Sequence, residues 1–353
     1  MTTNANGRAS EQKESHKLEI GTIFTFDTEN KYQIVQSYAK NDKIIKGGNS
    51  DLYECQKLDS QESQQLLLKC AMLDTSAGDQ LKKEIDYYLK VSAKKPFLQA
   101  VSVQCHASGC DLNTNMVWLV MDKHECTLRD LRYNKQDNEK GKHTLTYDKC
   151  LNYAIQMLDA FEILLSYGIV HGDASLSNIL IDKDGNILLC DFGQYQLFLN
   201  PLSIGKSPHT GTSKINSRNQ MQRGITKKSD SIENWIYMVV QCMYGVLDWT
   251  SEADDREMNK NIRHKTILSK KDFFWSGRIN NSALSPLIYV ARRMIENDKP
   301  NFAVLRLTLT GIFKNKIQFS PNIGPYDSLQ LCIVCARIFV CAFAYDKNAI
   351  KQI

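Results

Sequence analysis

The hydrophobic pattern changes character once along the chain. Between residues 31 and 121, apolar residues fall in short alternating or continuous runs at 32–35, 66–72 and 117–121, which predict β-strands. One stretch in this part has helical spacing: within 80–91, Leu81, Ile85, Tyr88 and Leu89 share a face, after the turn-forming Ser76-Ala77-Gly78-Asp79. Beyond residue 121 the period becomes helical. Leu151, Ala154, Ile155, Leu158, Phe161, Leu164 and Leu165 recur through 146–167, and the run stops at Gly168. Residues 230–246, 284–295 and 299–313 predict further buried helices, and 134–142 is a charged loop. The pattern predicts an α+β, two-lobed body. A polar arm spans 1–30, and the N-terminal lobe at 31–121 is a small, mostly antiparallel sheet with one helix. A mostly helical C-terminal lobe follows at 122–316, then a tail at 317–353.

The tail contains the apolar stretch 329–345, which raises the question of a membrane anchor. Arg337 sits in its middle, where a charge costs about 2.5 kcal/mol or more, and the stretch is shorter than the roughly 20 residues a bilayer needs. A packed helix or strand is the expected state.

Composition narrows the picture modestly. A chain of 353 residues with 42% hydrophobic and 24% charged content is that of a globular protein large enough for two lobes. The formal net charge of +5 and the lack of a strong basic cluster argue against sequence-specific nucleic-acid binding. No basic-then-apolar leader opens the chain. Eleven cysteines, scattered among apolar neighbours as at Cys70, Cys150, Cys190 and Cys242, read as buried free thiols in a reducing compartment. Cys332, Cys335 and Cys341 lack the second ligand pair that zinc requires.

The chemistry concentrates at H-G-D-A-S-L-S-N (171–178) and C-D-F-G (190–193). Phosphoryl transfer needs metal ligands, a group to receive a hydroxyl proton, and a cation on the nucleotide phosphates. Asp173 suits the proton acceptor. Asn178, five residues on, and Asp191, after the apolar run 187–189, suit metal ligands. A lone H-G-D or D-F-G is common by chance, but all three residues in order, joined by strand-like runs and the turn Asp182-Lys183-Asp184-Gly185, are not. Upstream, Lys69 lies inside L-L-L-K-C-A-M and must snorkel or meet an anion, with Glu84 on the following helix as its partner.

These motifs resemble the protein kinase fold, and within it the casein kinase 1 group, most closely the vaccinia-related kinase family. S-P-H-T-G-T-S-K-I-N-S (207–217) and K-K-S-D-S-I-E-N-W-I-Y-M (227–238) resemble the group's activation segment and following helix. Y-G-V-L-D-W-T (244–250) resembles its glycine-leucine-proline-tryptophan turn, with Asp248 in place of proline. V-H-G-D and K-P-N-F-A-V-L-R (299–306) are similar to the vaccinia-related branch. The resemblance implies ATP and Mg²⁺ as cofactors, a serine/threonine preference and a protein substrate, chromatin-associated in that branch, in the nucleus or cytoplasm. It implies Asp173 and Asn178 as catalytic residues and Asn178 and Asp191 as metal ligands. Lys69, Glu84, Gly47, Gly48, Met121, Asp122, His124 and Asp191 would line the cofactor site. Met121 would be the gatekeeper, 122–124 the adenine hinge, and Asp230 the aspartate that bonds the catalytic-loop backbone.

Three departures bear on rate. The phosphate loop reads I-K-G-G-N-S-D-L (45–52), with Gly47 alone clearly at a family glycine position. Ser175 replaces a lysine beside the γ-phosphate, a loss worth a few kcal/mol of transition-state stabilisation. Gly172 replaces the arginine that reads a phosphorylated activation loop. The expectation is therefore a kinase, slowed in turnover, with a pseudokinase scaffold as the alternative. A small-molecule kinase fits the 207–238 resemblance less well.

Overall fold

The computed structural model describes residues 18–25, 31–37, 39–40, 43–44, 50–58, 65–132, 145–198, 205–206, 214–223, 225–276 and 284–314. Gly47, Gly48, the loop 134–142, the segment 207–213 and the apolar tail lie outside the described residues.

A six-stranded antiparallel sheet forms the N-terminal part. Its strands are β1 (Ile23–Thr25), β2 (Lys31–Ser37), β3 (Asp51–Lys57), β4 (Leu66–Met72), β5 (Cys105–Asp111) and β6 (Met116–Asp122), in the order β1-β2-β3-β4-β6-β5. The fully apolar run of β6 follows from burial on both faces. Met116, Trp118 and Val120 join an outer core with Tyr32, Ile34, Tyr53, Cys55, Leu66, Leu68 and Cys70, whereas Val117, Leu119 and Met121 enter a larger inner core. The two-residue period of β4 splits likewise, with Leu66, Leu68 and Cys70 outward and Lys69 on the inward face beside Leu67 and Ala71.

Helix α1 (Ser76–Asp86) packs against the inward face. It starts four residues before the predicted helix because Thr75 caps it, its Oγ1 accepting from Gly78 N at 3.0 Å. A π-helical turn, Tyr87–Ser92, then adds a residue to the period. That widening turns Tyr87 and Tyr88 inward together and leaves Leu89 53% exposed, against the expectation of a single Leu81–Ile85–Tyr88–Leu89 face.

The helical part is built on α2 (Tyr147–Ser166) and α3 (Asp230–Tyr244). Every α3 residue through Cys242 is buried, and Trp235 Nε1 donates to Ala154 O of α2 at 2.9 Å. Outside them lie α5 (Ser285–Asn297) and α6 (Phe302–Lys314), close to the helices read from the spacing, and α4 (Lys260–Trp275), which the spacing did not mark. Arg306 of α6 ties back to α2 through Asp159 and, at 2.8 Å, Glu162.

A hairpin, β7 (Ile179–Ile181) and β8 (Ile187–Leu189), carries the site residues. Asp182 Oδ1 closes its turn, accepting from Asp184 N at 2.9 Å and Asn186 N at 2.7 Å. The pairing of Ile179 with Leu189 sets Asn178 beside Cys190, and Cys190 N donates to Asn178 O at 3.0 Å. Among the described residues, no helix is long and apolar enough to cross a membrane. Their eight cysteines are free thiols.

Candidate active site

The inward register of β4 delivers the Lys69 ammonium to two carboxylates at once, Glu84 Oε2 at 2.7 Å and Asp191 Oδ1 at 3.1 Å. Glu84 is 1% exposed, and its other oxygen accepts the Asp191 backbone N–H at 3.1 Å. One glutamate thus fixes both the lysine and the main chain at Asp191. Burial opposes charge on Lys69, but the two carboxylates outweigh it and raise its pKa, so the ammonium is kept. For Asp191, burial also acts against the charge, and the Lys69 ammonium overcomes it, lowering the carboxyl below its ordinary value.

Asp191 itself adopts a left-handed backbone, φ +64°, which aspartate tolerates better than most residues. The Phe192 ring holds it there, stacked on Tyr87 at 3.6 Å and 7° and lying 4.6 Å from the His171 ring. His171 is buried, and burial lowers its pKa against the pull of Asp173 and Asp191. The neutral ring fits its contacts: Nε2 lies 3.0 Å from Cys190 O, and Nδ1 faces the Asp173 N–H at 3.4 Å.

Asn178 donates its Nδ2 to Asp173 O at 2.8 Å. This bond orients the amide, leaving Oδ1 as the atom available to a hard cation. The site residues read from sequence in the described part therefore converge: Lys69, Glu84 and Asp191 in one cluster, Asp173 and Asn178 bonded to each other, and the two groups joined through Cys190. Met121 is buried at the end of β6. After it, Asp122 Oδ1 lies 2.6 Å from His106 Nε2, and Lys123 Nζ bridges to Glu54 at 2.7 Å and Gln65 at 3.2 Å. His124 follows in the loop after β6.

Asp230 is a correction. Its carboxylate accepts from Ser217 Oγ at 2.7 Å, Asn219 Nδ2 at 3.2 Å and Lys227 N at 2.6 Å, not from the 171–178 loop. The first residue of α3 faces the 217–227 segment, and one step along a helix rotates the side chain by about 100°. Ser231 is the residue that meets the loop, lining a small cavity with His171 and Gly172. Sequence reasoning also passed over Tyr87, which no spacing rule marks because a π turn places it, and over His171, which stood in view inside the motif.

Gly172 has φ +84°, and a Cβ there would lie 2.1 Å from Gln194 O. The 171–178 loop and the residue after Asp-Phe-Gly approach so closely that glycine is required.

The chain belongs to the protein kinase family, whose domain model, described as "Protein kinase domain", matches residues 25–310. It is 23% identical over 234 residues to the yeast Saccharomyces cerevisiae serine/threonine-protein kinase PKH3, covering 57% of this chain and 26% of that protein. It is 23% identical over 210 residues to human serine/threonine-protein kinase VRK3, covering 55% of this chain and 42% of that one. With the Drosophila melanogaster nucleosomal histone kinase 1 it shares 26% over 253 residues, 68% of this chain and 40% of that protein. The chain spans between about a quarter and a half of these relatives' length. The resemblance to the vaccinia-related branch read from the motifs accords with these relatives.

Proposed function

We propose that the chain is an ATP- and Mg²⁺-dependent kinase acting on serine or threonine of protein substrates. The observation that carries this reading is the Lys69 ammonium, held between Glu84 and Asp191 at 2.7 and 3.1 Å. In this reading Lys69 meets the α- and β-phosphates, while Met121, Asp122 and His124 receive the adenine and Gly47 and Gly48 cover the phosphates. Asn178 Oδ1 and the Asp191 carboxylate, whose side chain is 42% exposed, present oxygen ligands of the kind Mg²⁺ takes. The bound ion would neutralise charge on the transferring phosphoryl group. Asp173 orients the substrate hydroxyl and takes its proton as the phosphoryl group leaves ADP. The lobes divide near residue 122. The relative named as a histone kinase supports basic, chromatin-associated substrates, and the free thiols support a reducing compartment, nucleus or cytoplasm.

The test is transfer from γ-labelled ATP to the chain itself and to basic proteins such as histones. Incorporation that disappears in Asp173→Ala is expected; its absence in the wild type refutes the reading. One observation favours a second reading, a scaffold without turnover: Ser175 is buried and supplies no cation where the family has lysine. A thermal shift with Mg²⁺-ATP that Lys69→Met abolishes, without any turnover, would establish that alternative.

A further inference from the structure

The contact between α3 and the catalytic loop is incomplete as drawn by side chains alone. Beneath the loop lies a cavity of about 10 Å³ lined by His171, Gly172, Ser231, Asn234 and Gln220 together with apolar Phe161, Val170 and Ala174. That volume is at the threshold for one water molecule. His171 and Gly172 are both buried, and among the described residues their backbone N–H groups donate to no acceptor. A buried N–H without a partner is costly, and native proteins satisfy nearly all of them. On the opposite wall, Asn234 spends its Nδ2 on Ile215 O at 3.1 Å, which leaves its Oδ1 as an acceptor, and Ser231 brings a hydroxyl.

We propose that a structural water occupies this cavity and that Ser231 is a positioning residue, holding the catalytic loop through that water. The water accepts from the loop N–H groups and donates to Ser231 Oγ and Asn234 Oδ1, which uses its four hydrogen-bonding positions, while the Oε1 of the remaining polar lining residue, Gln220, accepts from Ser217 N at 2.9 Å. An aspartate at 231 would reach further toward the N–H groups; serine, whose oxygen is one bond nearer the backbone, leaves the gap that the water fills. The loop so fixed carries Asp173, the next residue after Gly172, so the bridge sets the position of the proton acceptor without touching substrate.

The transfer arm of the test rests on the kinase reading; the other two arms do not. In ¹⁵N-labelled full-length chain, a water-selective nuclear Overhauser experiment should give a cross-peak to the Gly172 amide. Ser231→Val, which fills the gap with methyl groups, should abolish the cross-peak and lower hydrogen-exchange protection at 171–173 by about tenfold, with the melting transition retained. Ser231→Asp should lose the cross-peak but keep the protection. In the transfer assay, Ser231→Val should lower kcat by about tenfold with KM for ATP within twofold, and Ser231→Asp should restore it. No cross-peak in the wild type, or one that survives Ser231→Val, overturns the water. Unchanged exchange and kcat in a Ser231→Val chain that has lost the cross-peak overturn the positioning role. If the wild type transfers no phosphate, the kinase reading fails by itself, and the cross-peak and exchange still decide this one.

Discussion

Gly172→Ala separates two costs that are usually confounded. At φ +84° any L side chain pays the left-handed penalty of about 1–2 kcal/mol. The new Cβ would also meet Gln194 O at 2.1 Å and Gln194 C at 2.8 Å, both backbone atoms that cannot rotate aside. Relieving that contact moves the loop away from the residue after Asp-Phe-Gly, and overpacking of this kind costs about 1–3 kcal/mol more. The total is about 2–5 kcal/mol, which for a domain of this size lowers Tm by about 5–20 °C. Gly185→Ala supplies the control: its φ is +82° and no atom lies within 4 Å of the added Cβ, so it carries the conformational penalty alone. Urea titrations of the two variants should therefore differ by about 1–3 kcal/mol, with Gly172→Ala the weaker. Equal losses would refute the close approach. The same contact predicts that an arginine at 172 unfolds the loop before it reads any phosphate.

Other outcomes follow from the site and its surroundings. Lys69→Met leaves Glu84 buried without its cation and should cost about 3 kcal/mol in urea titration; a loss below 1 kcal/mol would contradict the ion cluster. Lys271 of α4 is buried, donates to Asn216 O, and lies 4.9 Å from the Tyr237 ring. Burial, eased by Glu233 and reinforced by Arg218, pushes its pKa down to about 7. The unfolded chain then holds a proton that the folded one releases, so between pH 7 and 8.5 this lysine makes stability rise with pH, by at most about 1.4 kcal/mol per unit. Lys271→Met should remove that slope, as denaturation at several pH values would show; an identical slope refutes it. For thiols, Cys110 is exposed, whereas burial raises the Cys190 pKa well above its ordinary value. Mass-mapped iodoacetamide labelling at pH 8 should modify Cys110 well before Cys190, and the reverse order would count against this packing.

Much of the fold was legible because two periods mark it plainly. The runs at 66–72 and 117–121 are strands, and the spacing through 146–167 is a helix, in each case within a few residues. The pairing of Lys69 with Glu84 was legible too, since a lysine amid leucines must snorkel or meet an anion and the helix offered one; the second bridge, from Lys69 to Asp191, was not. What escaped depended on rotation about a helix axis. The π turn that brings Tyr87 inward leaves no mark on spacing, and the distinction between Asp230 and Ser231 is a single 100° step that a motif cannot resolve. Gly172 was legible only as a missing charge. Its positive φ and its neighbour Gln194, 22 residues away in sequence, belong to tertiary structure.

The two-core arrangement bears on how the cleft, the region where Lys69 of the sheet meets Asp191 beyond β8, can move. The outer face of the sheet has a core of its own, but its inner face, α1, Phe192 and the helical part share one. Widening the cleft is therefore a shear within a single packed interior rather than the parting of two bodies. Sliding α1 by more than a fraction of a ring width breaks the Tyr87–Phe192 stack and swings Asp191 off Glu84 in the same motion. Close-packed interiors deform by jumping between packings. The chain should accordingly pass between assembled and disassembled cleft states as alternatives, with few intermediates, and a small molecule wedged beside Tyr87 would act as a switch rather than a dimmer.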